Sequence, residues 1–394
     1  MQNRKSGDAK VYPILAFIFV LSYFYPTIYR NVWINYFRYF CFGLEICLLF
    51  IENIPRLKIK RLYKTDTLIF LFYFLLFVIS AFYGLNYGTF DEFMNVMAFV
   101  SLLFFLNVCI YKNERTFRAL FLVFMVLVIW DAMGIVLNPN GLFQIDYSTT
   151  DVNTSQWIFG NKNTHTAMFM LLALYAFYYE KVNRRKSARV LTIACLSILI
   201  LSAFILGSST TIIITILLFL GYILHYSDIV AQKTSNLITY IVPAYFVLNL
   251  LVVLGNTFFL SNLAQLFGKT ATLSGRTGLW ERSIIAILKH PFLGYGKIDS
   301  NVTYNLLNSI NPHNALLGCM LYGGIILTVI YVLLIIDVKN SIKKTNEKVR
   351  FLFFVVFMCV LIRAIVEQTA TNYDTMFLLY SMTHICNSKL FRGM

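Results

Sequence analysis

The chain alternates between long apolar segments and short polar connections along its whole length. Twelve apolar segments approach or reach the length needed to cross about 30 Å of hydrocarbon as a helix. This pattern predicts an all-α, polytopic integral membrane protein with about 12 transmembrane helices, in which residues 1–394 form a single transmembrane helical domain. The predicted spans are 11–29, 33–52, 67–84, 92–110, 118–136, 164–180, 190–206, 211–225, 235–255, 314–336, 351–369 and 375–388.

The longest polar connection, residues 256–313, interrupts this apolar pattern. We expect it to be one large extracytoplasmic loop that carries short helices and the catalytic groups. One helix should begin near Gly278, capped by Ser274 or Thr277, and end at Pro291. Its apolar stripe, suited to the membrane surface or to the helical bundle, comprises Trp280, Ile284, Ile287 and Leu288.

Composition and charge agree with a membrane protein and set its orientation. Hydrophobic residues make up 59% of the chain and charged residues only 13%, against about 25% in soluble domains. The net charge of +15 would suit a nucleic-acid partner, but 24 of the 33 lysines and arginines lie on one side of the twelve-span arrangement. The positive-inside rule makes that side the cytoplasm, with both termini inside. We therefore predict a multi-pass plasma (inner) membrane protein that binds no nucleic acid, with 137–163 and 256–313 outside.

Several types of chemistry are disfavoured by the sequence. It has no glycine-rich phosphate loop and no cytoplasmic domain large enough for a nucleotide, so we expect no cofactor. Its seven cysteines lie in or beside apolar segments, and no set of residues has metal-ligand spacing, so we expect no metal site. No internal repeat is evident, which disfavours a transporter built from duplicated halves.

Ionisable side chains inside the predicted spans are the first candidates for function. Each costs roughly 2.5–3.5 kcal/mol at the bilayer centre, so we expect none of them to face lipid. Arg363 and Glu367 are four residues apart, on one helix face, and can pair. The set admits two interpretations, salt bridges that only join helices or a polar cavity open to the outside. Its members are Arg38, Glu45, Asp131, Arg363 and Glu367.

The outer loop supplies the second group of candidates. Arg276 and Arg282 flank a predicted helix start, where free N–H groups and a guanidinium can bind an anion. The alternative is an interfacial helix whose cations touch lipid headgroups. His313 suits proton transfer near neutral pH, although a single loop histidine is more often inert, as we expect of His290 and His165. Asn314 is placed to orient the His313 ring or an acceptor.

Three motifs resemble those of the O-antigen ligase and polysaccharide polymerase superfamily of membrane glycosyltransferases. The outer-loop motif comprises SGRTGLW at 274–280 and HPFLGYG at 290–296. The histidine motif is PHNALL at 312–317, followed by Gly323 and Gly324, and the asparagine motif is GNKN at 160–163. One segment departs from the family pattern, because GSST at 207–210 has Ser209 where many relatives carry an arginine.

The resemblance implies a metal-independent, inverting glycosyl transfer from an undecaprenyl-pyrophosphate-linked glycan on the outer face of the membrane. Arg276 would then hold the pyrophosphate and His313 would deprotonate the acceptor hydroxyl, with Asn163 belonging to the substrate site. The second phosphate contact would come from Arg282, Arg363 or Arg38. Expected partners are the lipid-linked donor and acceptor, membrane lipids, and flippase and chain-length regulator proteins.

Two activities and one other class of protein stay open at the level of sequence. A polymerase joins lipid-linked repeat units, whereas a ligase transfers the finished glycan to a lipid A core or a protein. The missing arginine at position 209 favours the polymerase. A flippase for lipid-linked oligosaccharides is the alternative from a different class. It should carry functional charges along the whole transmembrane path, while here the polar residues are expected to concentrate at one face.

Overall fold

A computed structural model of the chain describes residues 5–26, 32–53, 62–83, 89–147, 152–227, 229–230, 232, 237–253, 276–298, 300–389 and 391. Within these ranges the protein is built of α-helices with one small hairpin, which confirms the all-α, polytopic prediction. The helices are α1 Lys5–Phe24, α2 Val32–Asn53, α3 Lys64–Phe82, α4 Thr89–Lys112, α5 Thr116–Leu137, α6 His165–Asn183, α7 Lys186–Leu206, α8 Ser209–Leu224, α9 Ile241–Val253, α10 Arg276–Lys289, α11 Ser300–Leu307, α12 Ala315–Lys343, α13 Glu347–Val366 and α14 Tyr373–Cys386.

Seven of the described helices are long and apolar enough to cross a membrane, namely those in α2, α3, α4, α5, α7, α12 and α13. Shorter apolar helices lie within α1, α8 and α9. Every predicted span overlaps a helix, but this overlap alone does not show that the helix crosses a membrane. Twelve spans therefore remain a prediction.

The connection between α5 and α6 contains a β-hairpin that the sequence analysis did not predict. Strand β1, Phe143–Tyr147, pairs antiparallel with β2, Val152–Gln156. Just beyond it, the Trp157 indole donates to the Asn138 carbonyl across 2.8 Å, which ties the hairpin to the end of α5. Strands this short give only a weak periodic signal in the sequence.

Helix α6 is the central helix of the bundle. All side chains from His165 to Tyr178 are buried, and the helix packs against α5, α7, α8, α13 and α14. Helix α6 carries apolar residues on every face, which is the pattern of a helix enclosed by other helices. The turn that precedes it, which contains the partly buried Asn163, is therefore anchored at the end of this central helix.

Helix α12 is broken at Gly324, whose backbone has φ 59° and ψ −156°. The HPFLGYG segment docks against the break. Its Tyr295 and Gly296 N–H groups donate to the carbonyls of Leu321 and Tyr322, and the Ile325 N–H donates to the Pro291 carbonyl. These three bonds, 2.8 to 2.9 Å long, pair groups of the broken helix with the preceding loop. A Cβ on Gly324 would lie 2.2 Å from the Phe292 carbonyl carbon, so the contact requires glycine.

The predicted loop helix is α10, and it packs on the bundle. Trp280 is fully buried and Ile287 is 6% exposed, but Leu288 is 71% exposed, so the predicted stripe packs on the bundle only in part. The contact surface instead follows Trp280, Ser283 and Ile287, and Leu288 lies on the other side of the helix. The helix begins at Arg276, so Thr277 lies inside it and is not the cap. Ser274, the other predicted cap, lies outside the described residues.

Polar groups lie at both ends of the helical bundle. The starts of α6, α8 and α12 and the end of α13 lie at one end of the bundle, with Asn163, Ser208, His313 and Glu367. Since these helices run through the bundle, the basic connections after α6 and α12 lie at the opposite end.

Candidate functional site

Ionisable residues within the helices face protein, as the sequence predicted. Asp131 and His165 are fully buried and meet at 2.7 Å through Oδ2 and Nδ1. Glu45 is 3% exposed and accepts from the Ser101 hydroxyl at 2.8 Å. His165 thus has a defined role, because its Nε2 also approaches the Gly160 carbonyl at 3.4 Å and links α5 to the GNKN turn.

His313 and Glu367 meet at the start of α12 and the end of α13. The Nδ1 atom of His313 lies 3.3 Å from Oε2 of Glu367. The two side chains are 29% and 13% exposed, so a substrate can reach the histidine while the carboxylate is mostly enclosed. When Nδ1 donates its hydrogen to the carboxylate, Nε2 carries the lone pair. The ring is thereby set in the tautomer in which Nε2 can accept a proton.

Asn163 binds the other oxygen of the same carboxylate. Its Nδ2 donates to Glu367 Oε1 across 3.1 Å, and its Oδ1 accepts from the Ser208 hydroxyl at 2.8 Å. Thr211 donates to Ser208 at 2.9 Å, and its hydroxyl also meets that of Thr166 at 2.7 Å. This continuous network extends from the GNKN and GSST segments to the histidine motif. We call His313, Glu367, Asn163 and Ser208 the histidine cluster.

The backbone around His313 is held from several sides. His313 has a φ of 46°, in the left-handed region, which residues other than glycine seldom adopt. Its N–H donates to the Asn311 side chain at 2.9 Å, and the Trp280 indole donates to the Pro312 carbonyl at 3.1 Å. Unusual backbone conformations that the surroundings enforce are typical of functional sites.

Asn314 is buried and serves the helix that follows it. Its Oδ1 accepts from the Leu317 N–H at 3.0 Å, which caps α12. Its Nδ2 donates to the Ile365 carbonyl at 2.9 Å and to Asn249 Oδ1 at 3.3 Å. These contacts join α12 to α9 and α13, so Asn314 fixes the position from which His313 projects. A direct contact with the acceptor stays a prediction.

The predicted arginines lie in different surroundings. Arg363 is 3% exposed and donates to the Thr375 hydroxyl at 3.3 Å, while its Nε has no hydrogen-bond partner among the described residues. Arg38 donates to Asn95 at 2.9 Å and lies over the Tyr23 ring. Arg282 is exposed and donates to the Leu307 carbonyl at 2.6 Å. The Arg276 backbone starts α10, one turn before Trp280, but its side chain falls outside the described part of the protein.

Buried polar groups also occur at the opposite end of the bundle. His384 Nε2 contacts Asp66 Oδ1 at 2.9 Å, and Thr65 donates to Asp337 at 2.6 Å. The polar residues are therefore not confined to one face, contrary to the expectation from sequence. Others, such as Glu45 and Asp131, lie within helices.

Comparison with known protein families bears on this geometry. Residues 157–332 match the family model described as O-antigen ligase. The matched segment contains Asn163, Ser208, Trp280 and His313. This match, over less than half of the chain, supports its resemblance to the O-antigen ligase and polysaccharide polymerase superfamily. A comparison with curated proteins gave no significant match.

Glu367 lies outside the matched segment. The sequence indicated Glu367 as a charge inside a span that could pair with Arg363, whereas its contact with His313 is visible only in the structure. Ser208 was noted only as part of a segment that departs from the family pattern. Neither contact has a signal in the sequence, because both partners are far from these residues in the chain. Among the described residues, no group of three or more His, Cys, Asp or Glu side chains could hold a metal ion.

Proposed function

We propose that this membrane enzyme polymerises oligosaccharide repeat units linked to undecaprenyl pyrophosphate into a surface polysaccharide, such as an O-antigen, capsule or exopolysaccharide. The observation that carries the proposal is the contact between His313 and Glu367, on a loop held by Trp280 of the outer-loop motif. The family match supports this reaction class, and the histidine cluster contains the base that we propose. The predicted orientation places the reaction on the outer face of the plasma membrane.

In the proposed reaction, the acceptor sugar hydroxyl attacks the anomeric carbon of the donor glycan. The new glycosidic bond forms from the hydroxyl oxygen while the bond between the anomeric carbon and the phosphate oxygen breaks. The pyrophosphate leaves with the bonding electrons, and Nε2 of His313 takes the proton. Attack opposite the leaving group inverts the anomeric centre. Glu367 supports this step because a carboxylate stabilises the imidazolium that forms.

The leaving pyrophosphate requires cations near the histidine cluster. We assign this role first to Arg276, since it lies one helical turn from Trp280, whose indole binds the residue preceding His313. Arg282 supports the same region, because it holds the Leu307 carbonyl in the segment that leads to His313. Arg363 lies one turn from Glu367 and contributes positive potential from the interior. We give Arg38 and Asn314 supporting roles at the substrate site, since Arg38 binds Asn95 and Asn314 joins α12 to α13.

A ligase is the second candidate, and the description of the matching family favours it. The polymerase remains our choice because Ser209 replaces the arginine expected in many relatives. Ser209 is the first residue of α8, directly after Ser208 of the histidine cluster. The substitution therefore removes a cation from the neighbourhood of the proposed site.

The deciding experiment uses the purified full chain and a synthetic undecaprenyl-pyrophosphate oligosaccharide. We expect a ladder of lipid-linked multimers, without added metal, when the oligosaccharide is the only substrate. A product that forms only after a lipid A core acceptor is added would identify a ligase. Absence of glycosyl transfer to either acceptor, from protein that is folded and monodisperse, would refute both activities.

A further inference from the structure

A pocket of about 600 Å³ lies at the end of the bundle opposite the histidine cluster. It opens between the end of α6, the start of α7, the residue Tyr226 beyond α8 and the start of α13. Its volume is within the usual range for small-molecule sites. The proposed glycosyl transfer uses none of its residues. We call it the basic pocket, after its lining cations Lys181, Arg184, Arg185, Lys186 and Arg189.

The basic pocket has a large excess of positive charge. Glu180 is its one acidic lining residue and is 6% exposed. Both oxygens of its carboxylate are engaged by neutral hydroxyls, Tyr222 at 2.7 Å and Tyr226 at 2.9 Å. The lining thus has five cations against one carboxylate that already accepts two hydrogen bonds. An anion is the ligand that this arrangement favours.

Two of the cations are held against the pocket wall. The Arg189 guanidinium lies 4.8 Å from the centre of the Tyr226 ring, and Lys181 Nζ lies 5.7 Å from it. Lys181 Nζ also donates to Nε2 of His225 at 2.8 Å. Cations over an aromatic face are oriented by the ring quadrupole, so their positions are partly set before a ligand arrives.

The backbone of the pocket points to the same kind of ligand. Arg184 caps α6 with φ 51° and ψ 16°, a left-handed conformation that glycine adopts at least cost. Helix α7 begins at Lys186, so its first N–H groups and the positive end of its dipole lie beside the pocket. The basic pocket thus lies beside the start of α7 and the left-handed backbone of Arg184.

The remaining lining is apolar apart from Tyr226 and the exposed Asn346, and its apolar part indicates the source of the anion. Val349 and Phe391 are buried among helix ends at the edge of the bundle, and Val182 lies beside them in the lining. We infer that the basic pocket binds the phosphate group of an anionic phospholipid, with its glycerol and upper acyl chains against this apolar wall. Clusters of lysine and arginine between transmembrane helices are suited to anionic headgroups. This inference does not depend on the proposed glycosyl transfer.

The test compares two triple variants of the full chain in nanodiscs. Arg184→Gly, Arg185→Gln and Lys186→Gln together remove three pocket cations, and glycine suits the left-handed backbone at 184. Lys339→Gln, Lys343→Gln and Lys344→Gln form the matched control, with the same charge loss outside the pocket lining. Thermal unfolding and native mass spectrometry are recorded in phosphatidylcholine with and without phosphatidylglycerol, and again with inorganic phosphate alone.

We expect phosphatidylglycerol to raise the unfolding temperature of the wild type and of the control, and to remain bound to both. The pocket variant should bind it about tenfold or more weakly, since each cation near an anionic headgroup contributes to affinity. Equal retention of phosphatidylglycerol by the pocket variant and the wild type would overturn the inference. Equal stabilisation by inorganic phosphate alone would assign the pocket to a soluble anion and overturn the lipid assignment.

Discussion

The indole of Trp280 donates to the carbonyl of Pro312 across 3.1 Å, which joins the outer-loop motif to the histidine motif. Both motifs therefore form one structural unit at the start of α12. The bond fixes the residue directly before His313, whose left-handed backbone needs external support. Its loss should disturb the reaction more than the fold.

Trp280→Phe tests this relationship, because it keeps an aromatic ring and removes only the donor. We expect a destabilisation of about 1 kcal/mol, the usual contribution of one hydrogen bond. We expect a lower kcat with little change in KM, since His313 would be displaced from its working position. Tyr295→Phe is the control, because it removes a bond of 3.1 Å to Ala286 elsewhere in the same loop. Equal kcat values for the two variants would contradict the positioning role of Trp280.

His313→Ala should abolish most of the transfer reaction. A general base within hydrogen-bond reach contributes about 10²–10⁴-fold, and we expect a loss of that size with normal insertion in the membrane. Glycan ladders should contain only single repeat units on lipid. His290→Ala is the matched control, because the His290 ring packs on Tyr295 and lies outside the histidine cluster. Long chains from His313→Ala would remove it from the role of base.

Glu367→Gln should give an intermediate loss of activity. The amide keeps the shape of the side chain but not the charge that stabilises the imidazolium, so the effect should be smaller than that of base removal. Glu347→Gln is the control, since it removes the same charge at the exposed start of α13, the helix that ends just before Glu367. Turnover of the double variant with His313→Ala should equal that of His313→Ala alone, because the carboxylate acts through the histidine. Additive losses would place Glu367 in a separate role.

Orientation in the membrane can be measured by cysteine labelling. Cys47 is the exposed one among the described cysteines, so Cys47→Ser gives a background with low reactivity. In this background we expect Asn305→Cys, at an exposed position of α11, to react with an impermeant thiol reagent in cells with a permeabilised outer membrane, if one is present. Lys344→Cys, also exposed, should react only after the inner membrane is opened. The reverse pattern would invert the predicted topology and the proposed side of the reaction.

Gly324→Ala should destabilise the protein strongly. Its Cβ would lie 2.2 Å from the backbone of Phe292, and alanine also disfavours a φ of 59°. Overpacking and backbone strain together should cost about 2–5 kcal/mol. Gly207→Ala is the matched control, with a φ of 61° and no atom within 4 Å of the new Cβ, so it carries only the backbone cost of about 1–2 kcal/mol. Equal unfolding temperatures for the two variants would show that the docked loop does not enforce the break.

Hydropathy predicted the helical bundle well because each helix must keep an apolar surface over many residues. The span predicted at 190–206 ends where α7 ends, at Leu206, and the span predicted from 314 begins one residue before α12. Helix α10 was also expected from its pattern, although Leu288 of the predicted stripe does not pack on the bundle. Periodicity places a helix more reliably than it identifies which side meets the bundle.

Pairing within the site could not be predicted in the same way. The sequence indicated His313 and Asn163 separately, and it paired Glu367 with Arg363 by helical spacing. In the structure Glu367 instead lies between His313 and Asn163, which requires the packing of α6, α12 and α13. The break at Gly324 is equally invisible to hydropathy, because the residues on both sides remain apolar.

The docked loop at Gly324 also has a consequence for biosynthesis. Residues 291–296 leave the ribosome before residues 315–343, so the partners for the backbone groups at the break are already made when α12 emerges. An unpaired carbonyl or N–H group costs several kcal/mol in hydrocarbon. Placing the docking loop upstream of the broken helix therefore lets α12 enter the membrane with these groups paired. Circular permutation that moves 276–298 behind α12 should delay insertion even where the final fold is unchanged.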